Sequence, residues 1–124
     1  CVGMQMLLES SEENNGISGF NLLEGKVRRI SSTSTVKVPH MGWNRVLQKS
    51  DHYLWTDIPN NSFFYFVHGY ACDSSVDAIG TTCHGSEFIS ALAKKNIFAV
   101  QFHPEKSQKV GLQFYKNFIS WKGN

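Results

Sequence analysis

Cys1, His103 and Glu105 are the residues whose types and spacing point to covalent chemistry. In "FHPEK", Pro104 biases His103 toward an extended backbone and stops strand pairing. The apolar run "IFAVQF" therefore delivers His103 at the C-terminal edge of a strand, where open α/β sheets place their sites. Glu105 can turn back and accept a proton from one imidazole nitrogen, which leaves the other as a base, the logic of an acid–histidine–nucleophile triad. The plainer reading of these residues alone is a strand-end histidine beside a solvated glutamate. In "CVGMQ", a cysteine opening a helix has its thiolate favoured by free N–H groups. Gly3 permits a tight turn and close approach of a ligand, and Gln5, one turn on, offers a neutral donor and acceptor to an amide on the same side. C-x-G-x-Q by itself is a weak signal, since buried inert cysteines are common. Its pairing with a distant His-Pro-Glu is what makes it informative.

The elements that must position these residues follow from pattern. Met4, Leu7 and Leu8 at helical spacing predict a helix over 2–11, closed by a loop near Asn14–Gly16. "EGKVRRI" (24–30) reads as a strand, and the Ser/Thr-rich, then Gly- and Pro-punctuated 31–44 as a loop; 47–57 is indistinct. After the turn chemistry of "IPNNS", the aromatic run 63–70 predicts a strand buried on both faces or nearly so. Strands over 78–84, 87–93 and 96–102 follow at hairpin spacing, with Lys95–Asn96 as the last turn. A terminal helix over 108–121 carries Val110, Phe114, Phe118 and Trp121 as its apolar stripe, widened by Leu112, Tyr115 and Ile119.

Composition narrows the classes. A chain of 124 residues, 41% hydrophobic and 18% charged, has room for one domain, 1–124. A net charge of +2 without a dense basic stripe argues against nucleic acid, and no run reaches the length a membrane helix needs. No secretory leader is recognisable, and three scattered cysteines are no disulfide framework, so a cytoplasmic, reducing setting is expected. A zinc site from Cys72, Cys83, His84 and His68 is conceivable but lacks a C-x₂-C pair, and Cys83 on an apolar strand reads as a small core residue. His40, His52 and His84 have no role that spacing assigns.

Cys-x-Gly-x-Gln followed by "FHPEKS" resembles the class I, triad-type glutamine amidotransferases. "VPHMGWN" and "YFVHGY" narrow the likeness to one branch of that family, the glutaminase subunits of imidazole glycerol phosphate synthases, which serve histidine biosynthesis. The likeness runs along essentially the whole chain. It implies an α/β fold, the C-terminal part of a flavodoxin-like three-layer domain, with no metal or organic cofactor. It implies that Cys1 attacks the side-chain amide of L-glutamine to form a thioester, that His103 shuttles the proton and that Glu105 orients His103. Gly3, Gln5, His68, Gly69 and Tyr70 would lie at the glutamine pocket. The family reads His-Ser/Thr-Tyr where this chain reads His68-Gly69-Tyr70, so a hydroxyl contact is lost there while backbone contacts survive. The resemblance also implies a heterodimer with a (βα)8-barrel cyclase that receives the ammonia through a channel, with Trp43, Asn44, Tyr65 and Lys106 at the interface. Without the resemblance, Trp43 reads equally well as a cap on the domain's own core.

The family pattern is Gly-x-Cys, on a strand-to-helix elbow, preceded by most of a parallel sheet and by a glycine-containing loop that donates to the oxyanion; the sequence given begins at the cysteine. One lost oxyanion donor costs ~10²- to 10³-fold in rate. The expectation is therefore that this polypeptide alone is inactive as a glutaminase and associates through unpaired edges. Three other readings stand beside this one. In an amidotransferase with an N-terminal nucleophile, Cys1 would use its own amine as base, but such an enzyme has no use for the His-Pro-Glu. A paralogous amidotransferase would aminate surface-saccharide precursors. A non-catalytic remnant would only bind a partner.

Overall fold

The computed structural model describes residues 1–123. Two helices, α1 (Val2–Met6) and α2 (Gln108–Ser120), flank a nine-stranded sheet of β1 (Ser10–Ser11), β2 (Ile17–Ser18), β3 (Lys26–Arg29), β4 (His40–Gln48), β5 (Ser62–His68), β6 (Tyr70–Cys72), β7 (Ala78–His84), β8 (Ser86–Lys94) and β9 (Ile97–Val100). The strands run in the order β2-β1-β3-β6-β8-β7-β4-β5, and β9 joins the edge of β8 beside β6. All pairings are antiparallel except β1 with β3. The expected α/β class is what the chain adopts.

The sheet separates two apolar clusters. One holds Met4 of α1 with Leu8, Val27, Ile89 and Ala99; the other holds Phe114 of α2 with Phe64, Phe66, Phe88 and Phe102. Adjacent residues of β9 feed opposite clusters, Ala99 the first and its neighbours Phe98 and Val100 the second, as the two-residue period of a strand requires. Helices thus cover the sheet on both sides. A bulge leaves Ser90 unpaired between Ala91, opposite Gly80, and Ile89, opposite Thr81. Its carbonyl receives the N–H of Gln101 at 2.9 Å, so the sheet is re-aimed just where β9 gives way to His103.

Several expectations need correction. The first helix stops at Met6 rather than 11, because the Ser/Asn-rich tract is a poor helix former. Leu8 is fully buried, Ser10–Ser11 pair with Lys26–Val27, and Asn14, Asn15 and Gly16 all take positive φ. The presumed loop 31–44 contains the start of β4, a nine-residue strand in register with β5 from His40↔His68 to Val46↔Ser62. Strand 62–68 is buried on one face only: Phe64 and Phe66 are wholly enclosed while Phe63 is half-exposed. Cys83 is exposed, and Cys72 is the buried cysteine. On α2 the buried stripe is Gly111, Phe114 and Asn117, whereas Leu112, Phe118 and Ile119 are exposed and Tyr115 is partly so. A Cβ on Gly111 would lie 1.9 Å from the Pro104 carbonyl oxygen, so the helix presses that face onto the turn and leaves Leu112 and Ile119 outward. Phe118, seven residues after Gly111 and so on nearly the same face, is exposed in the last turn of the helix. Strands 78–84 and 86–94 lie close to their expected places. The turn at Lys95, with a φ of 54°, connects β8 to β9, which ends at Val100. No helix among the described residues is long and apolar enough to cross a membrane.

Candidate functional site

The backbone nitrogen of Cys1 donates to the Gln101 carbonyl at 3.0 Å, which seats the cysteine beside the end of β9, two residues before His103. His103 is extended (φ −104°, ψ 97°) and precedes a single 3₁₀ turn, Pro104–Lys106. That turn brings Glu105 back, and its Oε1 lies 2.7 Å from His103 Nδ1. A carboxylate only accepts, so Nδ1 carries the proton and Nε2 is left as the basic nitrogen. Burial by itself raises the Glu105 carboxyl, but bonds from its own backbone N–H, from His103 and from Tyr115 outweigh it and hold it below the usual value. Burial and the neighbouring Glu105 raise the Tyr115 phenol, whose hydroxyl donates to Glu105 Oε2 at 3.4 Å.

Sequence reasoning missed what clamps this turn. Ser107, 1% exposed, donates through Oγ to the His103 carbonyl at 2.6 Å and accepts from the Tyr65 N–H at 3.0 Å. Tyr65 in turn accepts the His103 N–H through its carbonyl at 2.9 Å. The imidazole is thereby tied at its backbone to β5 and at its ring to Glu105. The serine closes the "FHPEKS" motif and was legible there, but its hydroxyl could as well have been a plain helix cap.

Gly3 sits within α1 with no positive φ, and a Cβ on it would lie 3.5 Å from Cys1 Sγ. That is ordinary contact, so neither backbone conformation nor lack of room requires glycine at this position. The Gln5 side chain is buried and turned to the sheet: Nε2 donates to the Tyr70 carbonyl at 3.0 Å and to Gln101 Oε1 at 3.1 Å. A cavity of about 360 Å³ opens beside it, lined among others by Val2, Gln5, Met6, Ser11, Glu13 and Phe20. Cys1 and His103 lie outside that lining. Glu13, to which sequence reasoning assigned nothing, is the cavity's carboxylate.

His68 does not face this cavity. Its Nδ1 lies 2.9 Å from the Tyr70 carbonyl and its Nε2 2.9 Å from His40 Nδ1. Because a carbonyl only accepts, His68 Nδ1 donates, its Nε2 accepts from His40 Nδ1, and His40 Nε2 accepts from Asn44 Nδ2 at 3.1 Å. Burial pushes His68 down to about 4, and burial followed by repulsion from His84 and His68 pushes His40 to about 4, so both rings are neutral near pH 7. Gly69 is required neither by φ nor by space, since a Cβ on it would meet only Val38, at 3.7 Å.

Of the four residues expected at a partner face, three form one cluster. Trp43 meets Tyr65 edge-on with centroids 5.9 Å apart, and Lys106 Nζ lies 5.8 Å over the Tyr65 ring. Asn44 points to the other side of β4, its Nδ2 bonded also to the Cys83 carbonyl at 2.8 Å. Among the described residues no group of three His, Cys, Asp or Glu is placed to hold a metal ion.

The chain matches the family model described as glutamine amidotransferase class-I over residues 1–121. An imidazole glycerol phosphate synthase subunit HisH from Acinetobacter baylyi is 50% identical over 124 residues, covering 98% of this chain and 60% of that protein. The corresponding subunit from Hydrogenovibrio crunogenus is 47% identical over 128 residues, covering 99% and 60%. The chain thus spans about 60% of the length of these curated relatives. A solved structure from Thermoplasma acidophilum, described as a GMP synthase subunit, superposes with a TM-score of 0.60 at 20% identity, covering 77% of this chain and 47% of that one. At that identity the likeness speaks for the fold alone.

Proposed function

Because the chain belongs to the class I glutamine amidotransferases, we propose that it carries the catalytic thiol, base and acid of a glutaminase that supplies ammonia to an imidazole glycerol phosphate synthase. The observation that supports this most is the 2.7 Å bond from His103 Nδ1 to Glu105 at the strand end against which Cys1 is seated. Cys1 Sγ, losing its proton to His103 Nε2, attacks the δ-carbon of glutamine. The tetrahedral adduct collapses to a thioester as the imidazolium returns the proton to the departing ammonia. Water, deprotonated by the same nitrogen, then cleaves the thioester to glutamate and frees the thiol. Glu105 holds the ring in one tautomer throughout.

The amino-acid end of the substrate has suitable partners in the cavity beside α1. The Glu13 carboxylate matches an ammonium group, and the Gln5 amide still has its carbonyl oxygen to offer. The backbone of His68–Tyr70 would border this end. On the other side, the face bearing Trp43, Tyr65 and Lys106 suits a cyclase partner, because Trp and Tyr are among the anchors enriched at interface centres. Free cysteines, Cys83 among them exposed, fit a cytoplasmic setting.

A glutamine-mimicking diazoketone tests the reading. It is expected to modify Cys1, seen by peptide mass, to be blocked by excess glutamine, and to slow at least tenfold in His103→Asn. Modification of Cys83 with Cys1 untouched, or a rate unchanged in His103→Asn, overturns it.

A further inference from the structure

Gln101 is the one wholly enclosed amide side chain in this part of the molecule. It follows β9, and its side chain lies on the face of Ala99 and His103, the face that α1 covers through Met4. Its Oε1 accepts from Gln5 Nε2 at 3.1 Å, while its own Nε2 has no hydrogen-bond partner among the described residues. A buried amide bonded at one end only costs stability that an apolar side chain of the same shape would not. Residues that break a packing rule in this way are expected where function requires them.

The geometry says what Gln101 does for its neighbour. A glutamine amide has two nearly isosteric ends, and only its partners decide which end points where. For Gln5 both partners are acceptors: the Tyr70 carbonyl at 3.0 Å and Gln101 Oε1 at 3.1 Å. The two N–H bonds of Gln5 are thereby spent on the protein, and the carbonyl oxygen remains for whatever occupies the adjoining cavity. With the Tyr70 carbonyl alone, one bond would be left to choose the orientation, and the Gln5 side chain would be free to turn its NH₂ toward the cavity.

We propose that Gln101 is a positioning residue that acts through Gln5, holding the Gln5 amide so that it presents an acceptor, not a donor, to the ammonium group of the bound glutamine. This rests on the reading above that Gln5 borders the amino-acid end of the substrate. It makes the pocket selective for free α-ammonium substrates by proton direction as well as by the charge of Glu13.

The test is a double-mutant cycle on glutamine affinity, measured by calorimetry in a Cys1→Ser background so that turnover is not needed. Gln101→Met should weaken the Kd for L-glutamine about tenfold, and Gln5→Met by at least as much. Adding Gln101→Met to Gln5→Met should change the Kd less than twofold. Gln101→Glu serves as the rescue: a carboxyl enclosed this fully stays protonated, keeps an acceptor for Gln5 and should bind within threefold of the parent. If Gln5→Met leaves the Kd unchanged, the placement of the substrate beside Gln5 is wrong. If Gln5→Met weakens binding but Gln101→Met does not, or weakens it equally in both backgrounds, the positioning role is wrong. Should Gln101→Met unfold, the rescue variant decides: a tenfold loss there overturns the proposal.

Discussion

The imidazole pair at His40 and His68 gives the most quantitative prediction. Three bonds in series run from Asn44 Nδ2 to His40, from His40 to His68 and from His68 to the Tyr70 carbonyl. Each ring donates through Nδ1 and accepts through Nε2, so a proton added to either one turns an acceptor into a donor that faces another donor. Both rings are held at about 4, against an ordinary value of 6.5. These folded-state values are depressed, so above 6.5 the pair imposes no proton-linked penalty, and stability is lost as the pH falls from 6.5 toward 4, where only the unfolded chain binds the protons. At pH 5 the unfolded imidazoles are protonated while the folded ones remain mostly neutral. The interval from 6.5 to 5 corresponds to roughly 2 kcal/mol per ring at about 1.36 kcal/mol per pH unit, and to about 1–2 kcal/mol after allowance for solvent screening.

Urea unfolding between pH 7.5 and 5, followed by far-ultraviolet dichroism, measures this loss. His40→Phe is the control, because Phe keeps a ring stacked between Phe66 and His84 but removes one titrating group and the donor to His68. It should cost about 1–3 kcal/mol at pH 7.5, from the acceptor left unpaired, and should roughly halve the slope with pH. Long-range nitrogen–proton correlation spectra should show both rings neutral with Nδ1 protonated at pH 7. A midpoint that is flat from pH 7.5 to 5, or either ring titrating above 6, refutes the argument.

Ser107→Ala strands the Tyr65 N–H, whose oxygen acceptor is lost, while the His103 carbonyl keeps its bond from Lys106 N–H. The expected cost is about 1–3 kcal/mol in a denaturant titration; a loss below about 0.5 kcal/mol would show that the clamp carries no energy. Gly111→Ala puts a methyl against the Pro104 carbonyl. It should destabilise by about 2 kcal/mol or more, although alanine is the better helix former, and a rise in melting temperature would contradict the close approach. Burial pushes the Cys72 thiol up to about 11 and Cys83 lies exposed, so a disulfide reagent at pH 7.5 should react quickly with Cys83 and leave Cys72 unmodified until unfolding. Rapid modification of Cys72 in the folded state would mean that this cluster opens easily.

Whether an element was legible in the sequence depended on how ordinary its chemistry is. Strands β7 and β8 alternate or run apolar as core strands do, and the turns at Gly85 and Lys95 fall where short polar breaks announce them. The pairing of His103 with Glu105 was equally readable, because a proline between them leaves few ways for the chain to run. Strand β4 was not readable, because its polarity is inverted. His40, Gly42 and Asn44 face inward and Met41, Trp43 and Arg45 outward, so the alternation that marks a strand carries the wrong signs. Helix α2 misled for a different reason. A period-3.6 stripe gives the set of apolar residues but not how far along the helix the packing extends: Phe114 is buried while Phe118, on the same stripe, is exposed in the last turn. The Ser/Asn-rich tract after α1 is locally a poor helix former, but the pairing of Ser10–Ser11 with Lys26–Val27 is something no local pattern can reveal.

The inversion of β4 and the clamp on His103 are two consequences of one arrangement. The outer face of β4 and β5 presents Met41, Trp43, Phe63, Tyr65 and Val67 together. Their inner face, deprived of large apolar residues at positions 40 and 44, is filled by polar groups that satisfy one another in a fixed direction. Tyr65 belongs to both systems. Its ring meets Trp43 edge-on and underlies Lys106, while its N–H and carbonyl hold Ser107 and His103. A partner that pressed on the Tyr65 ring would therefore bear on the same residue whose backbone holds His103. The coupling requires no long path, because ring and backbone belong to one residue and the tether from its carbonyl to His103 is 2.9 Å. Tyr65→Ala removes the ring and keeps both backbone bonds, so it should weaken partner docking while leaving the Cys1 modification rate of the unpartnered chain within about threefold. A larger fall in that rate without the partner would place the ring itself, rather than its docking contact, in the support of His103.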